Sequence, residues 1–78
     1  MLDNKEIRLN QLNGIDKDRL KTVHIYLKRG NMIPIHCRDF ILKTIDNTIT
    51  GYECYGLEGG YPLYIDSREI AAVIYVND

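Results

Sequence analysis

The sequence predicts a mainly β fold, a short N-terminal α-helix followed by a five-stranded, strongly bent antiparallel barrel. Three observations predict it. Val23, Ile25 and Leu27 alternate with His24, Tyr26 and Lys28, which places apolar and polar side chains on opposite faces of one strand. From Lys21 onward, comparable runs recur every eight to fourteen residues, separated by the turn signals Gly30-Asn31, Asp46-Asn47, Glu58-Gly59-Gly60 and Asp66-Ser67. No apolar run approaches the ~18 residues of a membrane-spanning helix.

The elements follow in order. Asp3 and Glu6 fit a capping box and Leu2 and Ile7 the accompanying hydrophobic staple, so a helix is expected over about 3–13, ended by Asn13-Gly14. Its stripe of Leu2, Leu9 and Leu12, with Ile7 beside them, suits packing on a sheet or covering one open end of the barrel. The alternation of Ile7 and Leu9 also fits a strand. Asp16-Lys17-Asp18 marks a turn or short coil. The barrel is expected over about 21–76, with strands at about 22–29, 32–43, 48–56, 61–66 and 69–76. The second is long enough to need a bend near Arg38-Asp39, and Pro34, lacking an N–H, belongs at an edge, a bulge or solvent. The expected core is Val23, Ile25, Leu27, Ile33, Ile35, Phe40, Leu42, Ile49, Leu63, Ile65, Ile70 and Val73.

Seventy-eight residues fit one domain, 1–78, and a chain of this size buries only a little over ~60% of its unfolded surface. Association with further copies would add stability, and a homo-oligomer is expected. The start of the chain lacks the apolar core of a secretory signal, so a cytoplasmic location with Cys37 and Cys54 as free thiols is expected, with no membrane partner. Net charge is −1, yet residues 1–30 carry seven Lys or Arg against four Asp or Glu, and residues 31–78 three against seven.

No catalytic constellation stands out, and no enzyme activity, cofactor or metal is expected. His24, His36, Cys37 and Cys54 lack metal-ligand spacing, and adjacent His36 and Cys37 point to opposite faces of a strand. Cys54 has no neighbouring base in sequence, and the carboxylates Asp39, Asp46, Glu53, Glu58, Asp66 and Glu69 form no acid/base motif. Gly59-Gly60 lacks the Lys and helix start of a phosphate loop and reads as a turn. Six tyrosines, beside one Phe and no Trp, are the unusual allocation. Tyr26, Tyr52 and Tyr64 fall opposite the core phase, where amphipathic rings suit a subunit interface, nucleobase stacking, a protein partner, or plain cross-strand pairing.

The element order resembles the Sm-like fold, closest to its bacterial Hfq branch. Arg8-Leu9-Asn10-Gln11-Leu12 is similar to the end of the Hfq helix, and Val23-His24-Ile25-Tyr26-Leu27-Lys28-Arg29-Gly30 to its first strand and turn. Phe40 falls where the family has an aromatic residue, and Tyr64-Ile65-Asp66-Ser67-Arg68-Glu69-Ile70-Ala71-Ala72-Val73-Ile74 resembles the closing pair of strands. Ile65-Asp66 stands where Hfq has a Lys-His pair that grips uridine-rich RNA, and Ile35 or His36 where it has a bend glycine. The resemblance implies a diverged Sm-like barrel, of a phage or mobile-element kind, whose copies gather basic residues on one face of a ring. The expected function is a non-enzymatic, homo-oligomeric binding module for nucleotide or nucleic acid, one form being a phage-encoded sequestering protein. The ligand residues expected are Arg8, Tyr26, Lys28, Arg29, Tyr52 and Tyr64. The alternative is a protein-interaction inhibitor, of an anti-defence or nucleic-acid-mimic kind, acting on a host protein.

Overall fold

A computed structural model describes residues 3–60, 62–63 and 65–76. Six strands form two three-stranded antiparallel sheets: β1 (Asn4–Arg8), β2 (Lys21–Leu27), β3 (Met32–Cys37), β4 (Asp39–Ile45), β5 (Thr48–Tyr55) and β6 (Ile70–Val76). Sheet A runs β1-β4-β5 and sheet B runs β3-β2-β6. Among the described residues the sheets do not close into a barrel.

The expected N-terminal helix is instead strand β1 and a single 3-10 turn, Leu9–Gln11. Its apolar stripe is thin, whereas the strand register places Ile7 opposite Leu42 and lets Leu9 reach the core at 6% exposure. The Asp3 amide donates to Asp46 Oδ1 at 2.9 Å and the Asp46 amide to the Asp3 carbonyl at 3.0 Å, so Asp3 anchors a strand end rather than a helix cap. That anchor sits on the β4–β5 hairpin, whose Asp46 and Asn47 have φ of 51° and 65°, the paired left-handed conformation of a two-residue turn.

The expected bend occurs at Arg38, where one long strand leaves sheet B as β3 and enters sheet A as β4. The side-chain phase inverts there: Ile35 and Cys37 point into the core before the bend, Phe40 after it. Lys21, 3% exposed, secures the corner. Its ammonium donates to the carbonyls of Arg38 (2.6 Å), Arg19 (2.8 Å) and Lys17 (3.4 Å), joining the start of β2, the preceding loop and the bend. The Arg38 amide donates to the Tyr55 carbonyl at 2.8 Å, and Arg38 Nη1 donates to the Asp18 carbonyl. Gly56 makes room for this side chain, because a Cβ there would lie 2.8 Å from Arg38 Cγ.

Two bulges set which side chains turn inward. Lys43 faces Gly51 but Thr44 faces Ile49, leaving Thr50 unpaired, so Ile49, Tyr52 and Cys54 all reach the core. Tyr26 faces Ala72 but Leu27 faces Ile70, leaving Ala71 unpaired, so Ile70 and Val73 both turn inward. The core comprises Leu9, Val23, Ile25, Ile35, Cys37, Phe40 and Ile70, with Leu27, Ile33, Leu42, Ile49, Ile65 and Val73 packed against it. Leu63 is the exception to the expected set at 94% exposure. Residues 62, 63, 65 and 66 are not in a strand, so the expected strand over 61–66 does not form among the described residues and nothing seats Leu63 inward.

Replacing Lys21 by Met keeps the apolar stem but leaves three carbonyls without their charged donor. The expected cost is about 3 kcal/mol, from ~1.5–3 kcal/mol for hydrogen bonds to a charged group. Urea unfolding measures it, and a change under about 0.5 kcal/mol would contradict this role for the ammonium.

Candidate functional site

The expected ligand residues do not converge. Tyr52 is half-buried and packs against the core, stacked on Phe40 with centroids 5.8 Å apart and planes at 5°, because the bulge at Thr50 reverses its phase. Burial pushes its phenol pKa up. Arg8 lies on sheet A, its Nε 3.4 Å from Asp39 Oδ2. Tyr64 lies outside the described residues. Tyr26, Lys28 and Arg29 remain together, at the end of β2 and in the turn that follows.

Carboxylates answer the cations of that turn. Arg29 Nε lies 4.0 Å from Glu69 Oε2, and the Arg68 guanidinium grips Asp66 through Nε (3.1 Å) and Nη2 (2.9 Å). Arg68 holds the Asp66 carboxyl below its ordinary range, and Lys28 lowers it further. Phosphate arriving here would meet two carboxylates along with the cations. On sheet A, Asp39 pairs with Arg8 and Glu53 with Lys43.

The two outer sheet faces differ in kind. Residues paired across neighbouring strands share a face, so the register gives each face directly. On sheet A it is a lattice of Glu6, Arg8, Asp39, Lys43, Glu53 and Tyr55 around Ile41, itself 2% exposed. Lys43 Nζ donates to Glu53 Oε1 and Tyr55 Oη to Glu53 Oε2, at 2.9 and 2.8 Å. Those hydrogen bonds hold the Glu53 carboxyl below its ordinary range and raise both partners.

On sheet B the outer face is formed by Thr22, His24 and Tyr26 of β2, Met32, Pro34 and His36 of β3, and Ala72, Ile74 and Val76 of β6. None of these nine is Lys, Arg, Asp or Glu, although Glu58, in an isolated bridge with His36, brings a carboxylate to the margin of the face beyond β3. Met32 is 40% and Ile74 48% exposed, on either side of β2. His24 and Tyr26 meet edge to face at 6.3 Å, and Thr22 Oγ1 lies 3.1 Å from His36 Nδ1. Pro34 sits on edge strand β3, where its missing N–H blunts further pairing. Sequence reasoning found Tyr26 here and missed Met32, Pro34, Ala72, Ile74 and Val76. The signal was present, because the phase opposite the core carries no charge in β2, β3 and β6, whereas in β4 it carries Asp39 and Lys43.

An apolar cleft of about 170 Å³ runs between β1 and β6, lined by Ile7, Leu9, Leu12, Val23, Val73 and Tyr75 among others. Among the described residues no three His, Cys, Asp or Glu side chains converge. Burial pushes the Cys37 thiol up and the Cys54 thiol up to about 11, so neither is a poised thiolate. No described helix is long and apolar enough to cross a membrane. No family model matches this chain, and no curated protein or solved structure matches it.

The Glu53 carboxyl is held below its ordinary value of 4.5, so its contribution to stability is present above that pH and lost as the pH falls below it. The difference in urea midpoint between the wild type and Glu53→Gln should therefore be constant from pH 5 to about 7 and shrink below 4.5. A difference that grows on acidification would contradict the pairing.

Proposed function

We propose that this chain is a non-enzymatic binding module whose working surface is the outer face of sheet B. The observation that supports it most is the lack of any charged side chain at the nine positions of that face, in a chain whose residues are 27% charged. A sheet face kept for solvent carries charges at such positions, as sheet A does. Two three-stranded sheets joined through a bent strand also suit a diverged, open Sm-like barrel, a fold whose members work by assembly and contact.

Of the expected partner classes, a protein surface is the better supported. Met32, Pro34, Ala72, Ile74 and Val76 offer aliphatic contact, and the nearby cations Arg29 and Arg68 are paired with carboxylates. A nucleotide or nucleic acid is the second reading, and a sequestering protein remains its concrete form. The His24–Tyr26 pair favours it as a stacking platform beside Lys28 and Arg29.

If the face is kept apolar for binding rather than folding, Met32→Glu and Ile74→Lys, each measured in dilute solution, should change stability by no more than about 0.5 kcal/mol. A loss above about 2 kcal/mol for both would assign these residues to the fold and overturn the reading. Fluorescence anisotropy with a labelled oligouridine separates the partner classes. The protein reading expects no saturable binding at low salt. Micromolar binding abolished by Tyr26→Ala would move the assignment to nucleic acid.

A further inference from the structure

We propose that the partner of this face is a second copy of the chain, the two sheets stacking β2 over β2 across a twofold axis that runs along β2. The inference rests on the reading of the sheet B face as the working surface and goes beyond it by committing to one occupant.

Charge supports the choice. In a twofold contact each residue near the axis meets its own copy, so any charge there faces a like charge, and a self-associating face has to be neutral around its centre. The central strand β2 presents Thr22, His24 and Tyr26, no Lys, Arg, Asp or Glu lies on the flanking strands of this face, and Glu58, bridged to His36, lies beyond β3 at its margin, away from the axis. An acidic or basic partner would call for complementary charges that the face does not offer. Sheet A carries such charges and has no comparable neutral patch.

Shape supports it as well. With the axis along β2, strand β3 of one copy lies over β6 of the other. Met32 and Ala72 occupy one level of the sheet, both paired with Tyr26, while Pro34 and Ile74 occupy the next, both paired with His24. Met32 of each copy therefore stands over the small Ala72 of the other, and Ile74 over Pro34, so that protruding side chains meet lower ones in the manner of aligned sheet packing. Three strands ~4.8 Å apart, each contributing about five residues at ~3.3 Å, span roughly 14 by 17 Å. That footprint is about 240 Å² on each copy, well below the ~800 Å² per partner of a standard specific interface, so the dimer is a weak one that forms toward the millimolar end of concentration.

Sedimentation velocity of the full chain tests this from about 1 µM to about 1 mM, the span over which such complexes form. The expected result is a mass that rises from monomer to dimer. Met32→Glu and Ile74→Lys should each remain monomeric throughout, with unchanged far-ultraviolet circular dichroism. Glu53→Gln, on the outer face of sheet A, should follow the wild-type curve. A wild type that stays monomeric at every concentration overturns the second copy as occupant, while the working-surface reading is judged separately by the stability of the same variants. A dimer that survives both Met32→Glu and Ile74→Lys overturns the placement on this face.

Discussion

The Lys21 ammonium is the interaction on which the rest of the fold depends. One strand must serve two sheets, and at Arg38 its carbonyl leaves the ladder of sheet B before the next residue joins sheet A. A buried carbonyl without a donor costs about 1–3 kcal/mol. Lys21 supplies the donor from the first residue of β2 and also ties in the carbonyls of Lys17 and Arg19. A buried cation among neutral carbonyls is tolerable because its hydrogen bonds are charge-assisted and its stem packs with the core phase of β2. The same corner inverts the side-chain phase, so that Cys37 and Phe40 enter one core from two sheets.

The bend also produces two outer faces that answer to different demands. On sheet A, ion pairs at 2.9 and 3.4 Å cover Ile41 with the stems of charged residues. Exposed pairs of this kind contribute little to stability, a median near 0–1 kcal/mol, so the lattice serves mainly to keep that face solvated. Sheet B lacks the device altogether. Its central strand is polar without being charged, its edge strand β3 is blunted by Pro34, and its exposed large apolar side chains are Met32 and Ile74. Pro34 discourages edge-to-edge growth at β3, which leaves the face itself as the surface for contact.

Much of this was legible in the sequence. The strict alternation of β2, the bend near Arg38-Asp39 and the Asp46-Asn47 turn each follow from local chemistry, and each forms where that chemistry places it. The segment 3–13 was ambiguous because Asp3 and Glu6 fit a helix cap while Ile7 and Leu9 alternate. A long-range contact, Asp3 with Asp46, goes with the strand form. Tyr52 was misplaced because strict alternation cannot anticipate the unpaired Thr50, a single residue that exchanges the two faces of β5. The candidate surface was half visible: Tyr26 drew notice as an aromatic residue, whereas Met32 and Ile74 did not, since lone apolar residues on a surface are ordinary until register assembles them.

On the proposed reading, the neutral face of sheet B, and not the charged face of sheet A, is where this protein makes contact. Methyl and amide chemical shifts followed by NMR through a dilution series test it residue by residue. Met32, Ala72 and Ile74 should shift together with concentration while Lys43 and Glu53 stay fixed. Shifts confined to sheet A, or spectra that do not change with concentration and respond to an oligonucleotide only at Arg8 and Lys43, would contradict it.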